Sequence, residues 1–218
     1  MNKKFKLGFM VGRFQMLHKG HESLINEGLE LCDRFVILLG NSEESRTKNN
    51  PFTFEERKEM IKMIYGNKVE VYPIISIGIG YIPAWGNYIM NTIKFYCGEY
   101  PDFVLRGSDD GRSEWIDKTK YDNLTEYIIS RKLIKVSATE VREKLLDWYQ
   151  GQAIKKPDTI DFVKQEGIPC SSVIQISSIS SYEKNKAKMA ESYLKANISE
   201  KYTKKRLEKY GEILKGIR

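Results

Sequence analysis

Histidine and cysteine are the scarce residues of this chain, and their scarcity narrows its chemistry. Among 218 residues there are three cysteines and two histidines. Cys32, Cys97 and Cys170 are odd in number and far apart, and no two form a C-x-x-C pair. Neither a disulfide framework nor a redox or zinc motif can be assembled from them. They read as buried thiols in a reducing compartment, which makes the cytoplasm the expected location. The two histidines lack a third histidine or a nearby cysteine to complete a zinc shell, so no protein-held metal is expected. Long apolar runs are absent too: none approaches the ~20 residues of a membrane span. The basic start at 1–6 leads into a short apolar run at 7–11 with no small-residue cleavage pattern. Neither export nor a membrane partner is therefore expected. Nor is there a G-x-x-x-x-G-K-[ST] loop, or a G-x-G-x-x-G after the first strand, which removes two common phosphate-binding solutions.

What is present describes a globular protein, with 41% hydrophobic and 30% charged residues. The net charge of +7 is unevenly placed. Residues 171–218 hold eleven Lys or Arg against five Glu, a net +6, which leaves the rest near neutrality. The basic character belongs to the C-terminal end, and the pI is no argument for nucleic-acid binding by the body. Two domains are expected: a body over 1–170 and a basic helical extension over 171–218.

Along the body, short apolar runs alternate with helical patterns. Strands are expected at 6–11, 35–39, 69–73 and 103–106, with helices at 19–31, 54–65, 84–96, 137–149 and 157–166. Thr53-Phe-Glu-Glu56 and Ser137-Ala-Thr-Glu140 both have capping-box spacing. Strands apolar enough to be buried on both faces imply an α/β, Rossmann-like, doubly wound parallel sheet. In such sheets ligands lie at the carboxyl ends of the strands. The serine-rich segment 171–181 reads as a linker or edge segment, followed by helices at 182–196 and 200–216. The last sets Leu207, Tyr210, Leu214 and Ile217 on one stripe.

His18 and His21 stand three apart around Gly20, after a strand and at the start of a helix. Helix-start amides and the helix dipole favour an anion there, and Gly20 lets a bulky group approach the backbone. Two imidazoles beside such amides can hold triphosphate oxygens and stabilise charge developing at an α-phosphate. The residues alone leave open ordinary polar helix-start positions, a metal pair, or acid–base hydrolysis. Ser137-Ala-Thr-Glu-Val-Arg142 supplies a second helix start with hydroxyls and an arginine able to grip phosphate.

Gly12-Arg-Phe-Gln-Met-Leu-His-Lys-Gly-His21 resembles the H-x-G-H signature of the nucleotidyltransferase superfamily. Its Gly-Arg-Phe-Gln is similar to that of archaeal-type nicotinamide mononucleotide (NMN) adenylyltransferases, and Ser137–Arg142 resembles the superfamily's second signature. The likeness covers residues 5–168. It implies His18, His21 and Arg142 as catalytic residues, with ATP contacts from Gly12, Arg13, Phe14, Gln15, Gly20, Arg106, Gly107, Ser108, Ser137 and Thr139. Asn50-Pro-Phe-Thr53 with Glu56-Arg57 resembles the family's segment after strand two. Acceptor contacts are then implied from Asn41, Arg46, Asn50, Arg57, Trp85 and Asn87, the tryptophan stacking on nicotinamide. The chain departs from the pattern at Met16-Leu17 (usually Pro-Phe), at Asn49 (usually Arg) and at Ser108 (usually Asn). It also lacks the acidic residue expected shortly before the tryptophan.

The implied reaction is transfer of AMP from ATP, with Mg²⁺, to NMN, giving NAD and pyrophosphate in a homo-oligomeric enzyme. Two alternatives stand beside it. One is an adenylyl- or cytidylyltransferase with another phosphate-bearing acceptor. The other is a non-catalytic nucleotide-sensing or nucleic-acid-binding protein on the same fold.

Overall fold

A computed structural model of the chain describes residues 3–80, 82–107, 115–129, 136–153 and 170–217, with the backbone alone at 153 and over 170–182. Five strands form one parallel sheet: β1 (Phe5–Gly12), β2 (Cys32–Leu39), β3 (Glu70–Pro73), β4 (Phe103–Gly107) and β5 (Thr125–Ile129), in the order β3-β2-β1-β4-β5. Helices α1 (Lys19–Leu31), α2 (Phe54–Tyr65) and α3 (Pro83–Cys97) connect the first four strands. The doubly wound parallel sheet expected from the sequence is present. Strand order reverses between β1 and its neighbours β2 and β4, so the switch-point crevice lies at the carboxyl end of β1.

Local packing explains the arrangement. Leu7, Phe9, Val36, Leu38, Val104, Ile89, Met90 and Ile93 form a buried cluster between sheet and α3. Gly8 is required because Phe103 lies over it on the paired strand, where a Cβ would come within 2.0 Å of the ring. α2 starts at a complete capping box: Thr53 accepts from the Glu56 amide, and the Glu56 carboxylate accepts from the Thr53 amide. Cys32 is buried, its thiol pushed up to about 11 by desolvation, and Cys97 is half-buried. Neither is a ready nucleophile at neutral pH.

The chain divides into two compact units, Met1–Ser137 and Ala138–Arg218. The second contains α4 (Ala138–Ala153), α5 (Cys170–Asn197) and α6 (Lys204–Lys215). α4 packs on both α5 and α6. Val141, Leu145, Leu146 and Trp148 of α4 are buried, as are Ala187, Ala190, Leu194, Tyr210 and Leu214. Glycine permits the closest approaches: Gly151 meets Ala187 and Gly211 meets Tyr149.

Two expectations change. β5 falls in a stretch that reads as irregular. The serine-rich segment is helical, part of α5, rather than a linker or edge. The expected helix at 157–166 lies outside the described residues. Among the described residues no helix is long and apolar enough to cross a membrane.

Candidate active site

The carboxyl end of β1 turns sharply after Gly12. Phe14 adopts φ 49°, a left-handed conformation that places its ring back over Gly12, where a Cβ would approach it to 2.8 Å. Phe14 is buried, and its ring packs on His21 with centroids 4.5 Å apart. His18 is the N-cap of α1, and its carbonyl accepts from the amides of His21 (2.8 Å) and Glu22 (3.0 Å). The two imidazoles stack at 3.8 Å, inclined by 26°. His18 is 5% exposed and His21 half-buried. Both rings thus stand at the positive end of α1, where an anion is favoured.

Beside this turn lies the segment after β2. Asn41 is left-handed (φ 50°), as is Arg46 (φ 59°). Glu44, which sequence reasoning did not single out, accepts from both Asn41 Nδ2 (3.0 Å) and Asn50 Nδ2. Arg46 forks onto Glu56 through Nη1 and Nη2, each at 2.7 Å, and also donates to the Pro51 carbonyl. The loop is closed by its own side chains.

Two expected ligand residues point elsewhere. Arg57 is fully buried. Its guanidinium donates to four backbone carbonyls: Thr53 (3.2 Å), Arg13 (2.8 Å), Gly40 (2.7 Å) and Asn41 (3.1 Å). Burial lowers its pKa to about 10; Glu43 offsets part of this and Arg13 adds to it, so it stays charged at neutral pH. The guanidinium for which the resemblance implies an acceptor contact thus faces the chain's own backbone. Gln15 is 2% exposed. Its carboxamide donates to the Phe52 carbonyl (3.1 Å) and accepts from the Phe52 amide (2.9 Å). Gln15, for which the resemblance implies an ATP contact, likewise bonds the chain's own backbone.

On α3, Trp85 packs on Trp115 in an edge arrangement, centroids 4.8 Å apart. Gly86 permits this, since a Cβ there would fall 1.9 Å from the Trp115 carbonyl oxygen. Asn87 is half-buried one residue further on. At the end of β4, Arg106 donates to Glu126 (3.1 Å) on β5, with Gly107 next to it. Glu126 and Trp115 are partners that no motif announces. Ser108 lies outside the described residues. Ser137 is exposed at the end of the first unit, and on α4 of the second Arg142 donates to Thr139 Oγ1 (3.3 Å). Gly20 and Arg13 flank the histidine turn, the first half-buried and the second exposed. Among the described residues no cluster of three or more His, Cys, Asp or Glu could hold a metal.

This chain is an enzyme of the nucleotidyltransferase class, as its family match and its relatives show. A family model described as cytidylyltransferase-like matches residues 9–144, and the chain belongs to that family. It is 24% identical over 163 residues to a nicotinamide-nucleotide adenylyltransferase of Thermococcus onnurineus, spanning 73% of this chain and 83% of that one. It is 30% identical over 149 residues to one of Thermoplasma acidophilum, spanning 66% and 78%. Among solved structures, a bifunctional NMN adenylyltransferase/ADP ribose pyrophosphatase from Francisella tularensis shares the fold, with a TM-score of 0.56 and 21% identity. That match covers 66% of this chain and 42% of the other.

Proposed function

We propose that the enzyme transfers AMP from ATP to NMN, giving NAD and pyrophosphate. The observation that carries this reading is the His18–His21 stack at the positive end of α1. It rests also on the likeness to adenylyltransferases named for that acceptor. The NMN phosphate is already ionised and attacks the α-phosphorus in line, so no general base and no covalent enzyme intermediate are needed. Catalysis is positioning and charge stabilisation.

His18 and His21 hold α- and β-phosphate oxygens as charge moves to the leaving pyrophosphate. For Thr139 and Arg142 the resemblance of Ser137–Arg142 to the superfamily's second signature supports a phosphate-binding role. Gly12, Arg13, Gly20, Arg106 and Gly107 border the rest of ATP, while Trp85 offers a ring face to nicotinamide, with Asn87 beside it. Mg²⁺ carried in with ATP would supply screening of the triphosphate charge. Pyrophosphate release measured across ATP and CTP, each with NMN and other phosphate-bearing acceptors, tests the reading. Release with ATP and NMN is expected. Release only with another pair would move the specificity to that pair.

A further inference from the structure

Arg57 and Gln15 reach the same two segments from opposite sides. From α2, Arg57 takes the carbonyl of Arg13 together with those of Gly40 and Asn41. One nitrogen, Nη1, bridges Arg13 and Gly40 at 2.8 and 2.7 Å, so a single group sets the distance between the ends of β1 and β2. From the β1 side, Gln15 closes a two-bond clasp on the backbone of Phe52. A direct backbone bond, Gly40 N–H to the Gly12 carbonyl at 2.9 Å, lies between these ties. Both tying side chains are within 2% of full burial.

We infer that Arg57 and Gln15 are positioning residues for nucleotidyl transfer: together they lock the histidine turn to the loop at 41–53 so that the phosphate site is assembled before substrate arrives. The chemistry of the ties supports this. Phe14 and Asn41 hold left-handed backbone on the two joined segments, φ 49° and 50°. Such conformations persist only where surroundings over-determine them. A buried guanidinium facing four neutral carbonyls is a costly group, retained here although a buried charge adds little stability. Its fork geometry is what an ammonium lacks. A lysine in the same place could not reach four carbonyls in different directions from one point.

The inference rests on the proposed transferase reading for its catalytic consequence, but not for its structural one. The test compares Arg57→Lys, Gln15→Met and the double variant at temperatures well below their unfolding midpoints. Amide hydrogen exchange is followed at residues 12–17 and 40–53, and kcat and KM are measured with ATP and NMN. Faster exchange in both segments is expected from either single variant. A fall in kcat of about 100-fold is expected, as for a displacement of about 1 Å, with smaller changes in either KM. The double variant should be little worse than the worse single one, because both residues hold one joint. Faster exchange in only one of the two segments would overturn the inference. So would losses that multiply in the double variant, or an increase in acceptor KM alone with kcat kept, which would make Arg57 a ligand. Absence of turnover in the unsubstituted enzyme would instead sink the transferase reading, while the exchange experiment still decides the joint.

Discussion

The rings of His18 and His21 stack with centroids 3.8 Å apart, one at the N-cap and one in the first turn of α1. Phe14 covers His21 at 4.5 Å, so the half-buried imidazole is held between an aromatic ring and its partner. On the proposed reading this packing would hold the imidazoles as preorganised donors, which act mainly on the transition state. His21→Ala should therefore lower turnover by about 100-fold or more while weakening ATP binding far less. Steady-state kinetics and calorimetric titration of ATP check this; equal losses in both would remove the assigned role.

The close approach of α3 to Trp115 gives a second prediction. Gly86→Ala places a methyl 1.9 Å from a backbone oxygen, which cannot swing aside as a side chain can. A cost of about 1–3 kcal/mol is expected from forced overpacking, read by denaturant unfolding. The Trp85–Trp115 contact should loosen with it, which indole fluorescence reports.

Arg34 and Glu70 tie β2 to β3 through two bonds, Nε to Oε1 at 2.8 Å and Nη2 to Oε2 at 3.1 Å. The hydrogen bond from Arg34 holds the Glu70 carboxyl below its usual range. A depressed carboxyl stabilises the fold above its unfolded value, about 4.3, and that contribution disappears as pH falls through the folded value. Glu70→Gln should thus destabilise the protein at pH 7, by under ~1 kcal/mol for so exposed a pair. Melting curves of the two proteins should converge as pH falls through that lowered folded value.

The C-terminal helices are the support of α4, which carries Thr139 and Arg142. Leu194→Ala, at a 3% exposed position, should cost about 2–5 kcal/mol and lower the denaturant midpoint of unfolding. Met189→Ala, at a 74% exposed position on the same helix, should leave the midpoint unchanged.

How far such features can be read from sequence depends on their physical origin. β1 to β4 were legible because buried parallel strands are short apolar runs, and α2 because Thr53 and Glu56 carry its cap. β5 was not: Thr125–Ile129 lies at the sheet edge and none of its five residues is fully buried, so it lacks the buried apolar run that marks the other strands. The segment at 171–181 has a linker's serine content, yet Val173, Ile176 and Ile179 recur at helical spacing. The histidine pair was legible because its spacing is local. The tasks of Gln15, Arg57, Asn41 and Asn50 were not, because each partner lies on another segment or on an unremarkable glutamate. A motif names polar residues near a site; only the meeting of β1 and β2 decides which face the ligand and which face the backbone.

The most direct measurement follows NAD formation from ATP and NMN by the unsubstituted enzyme and by His21→Ala, with pyrophosphate counted in the same reaction. The account predicts NAD and pyrophosphate in equal amounts from the former, and about 100-fold slower formation of both from the latter. No NAD from the unsubstituted enzyme, or equal rates from the two proteins, would contradict it.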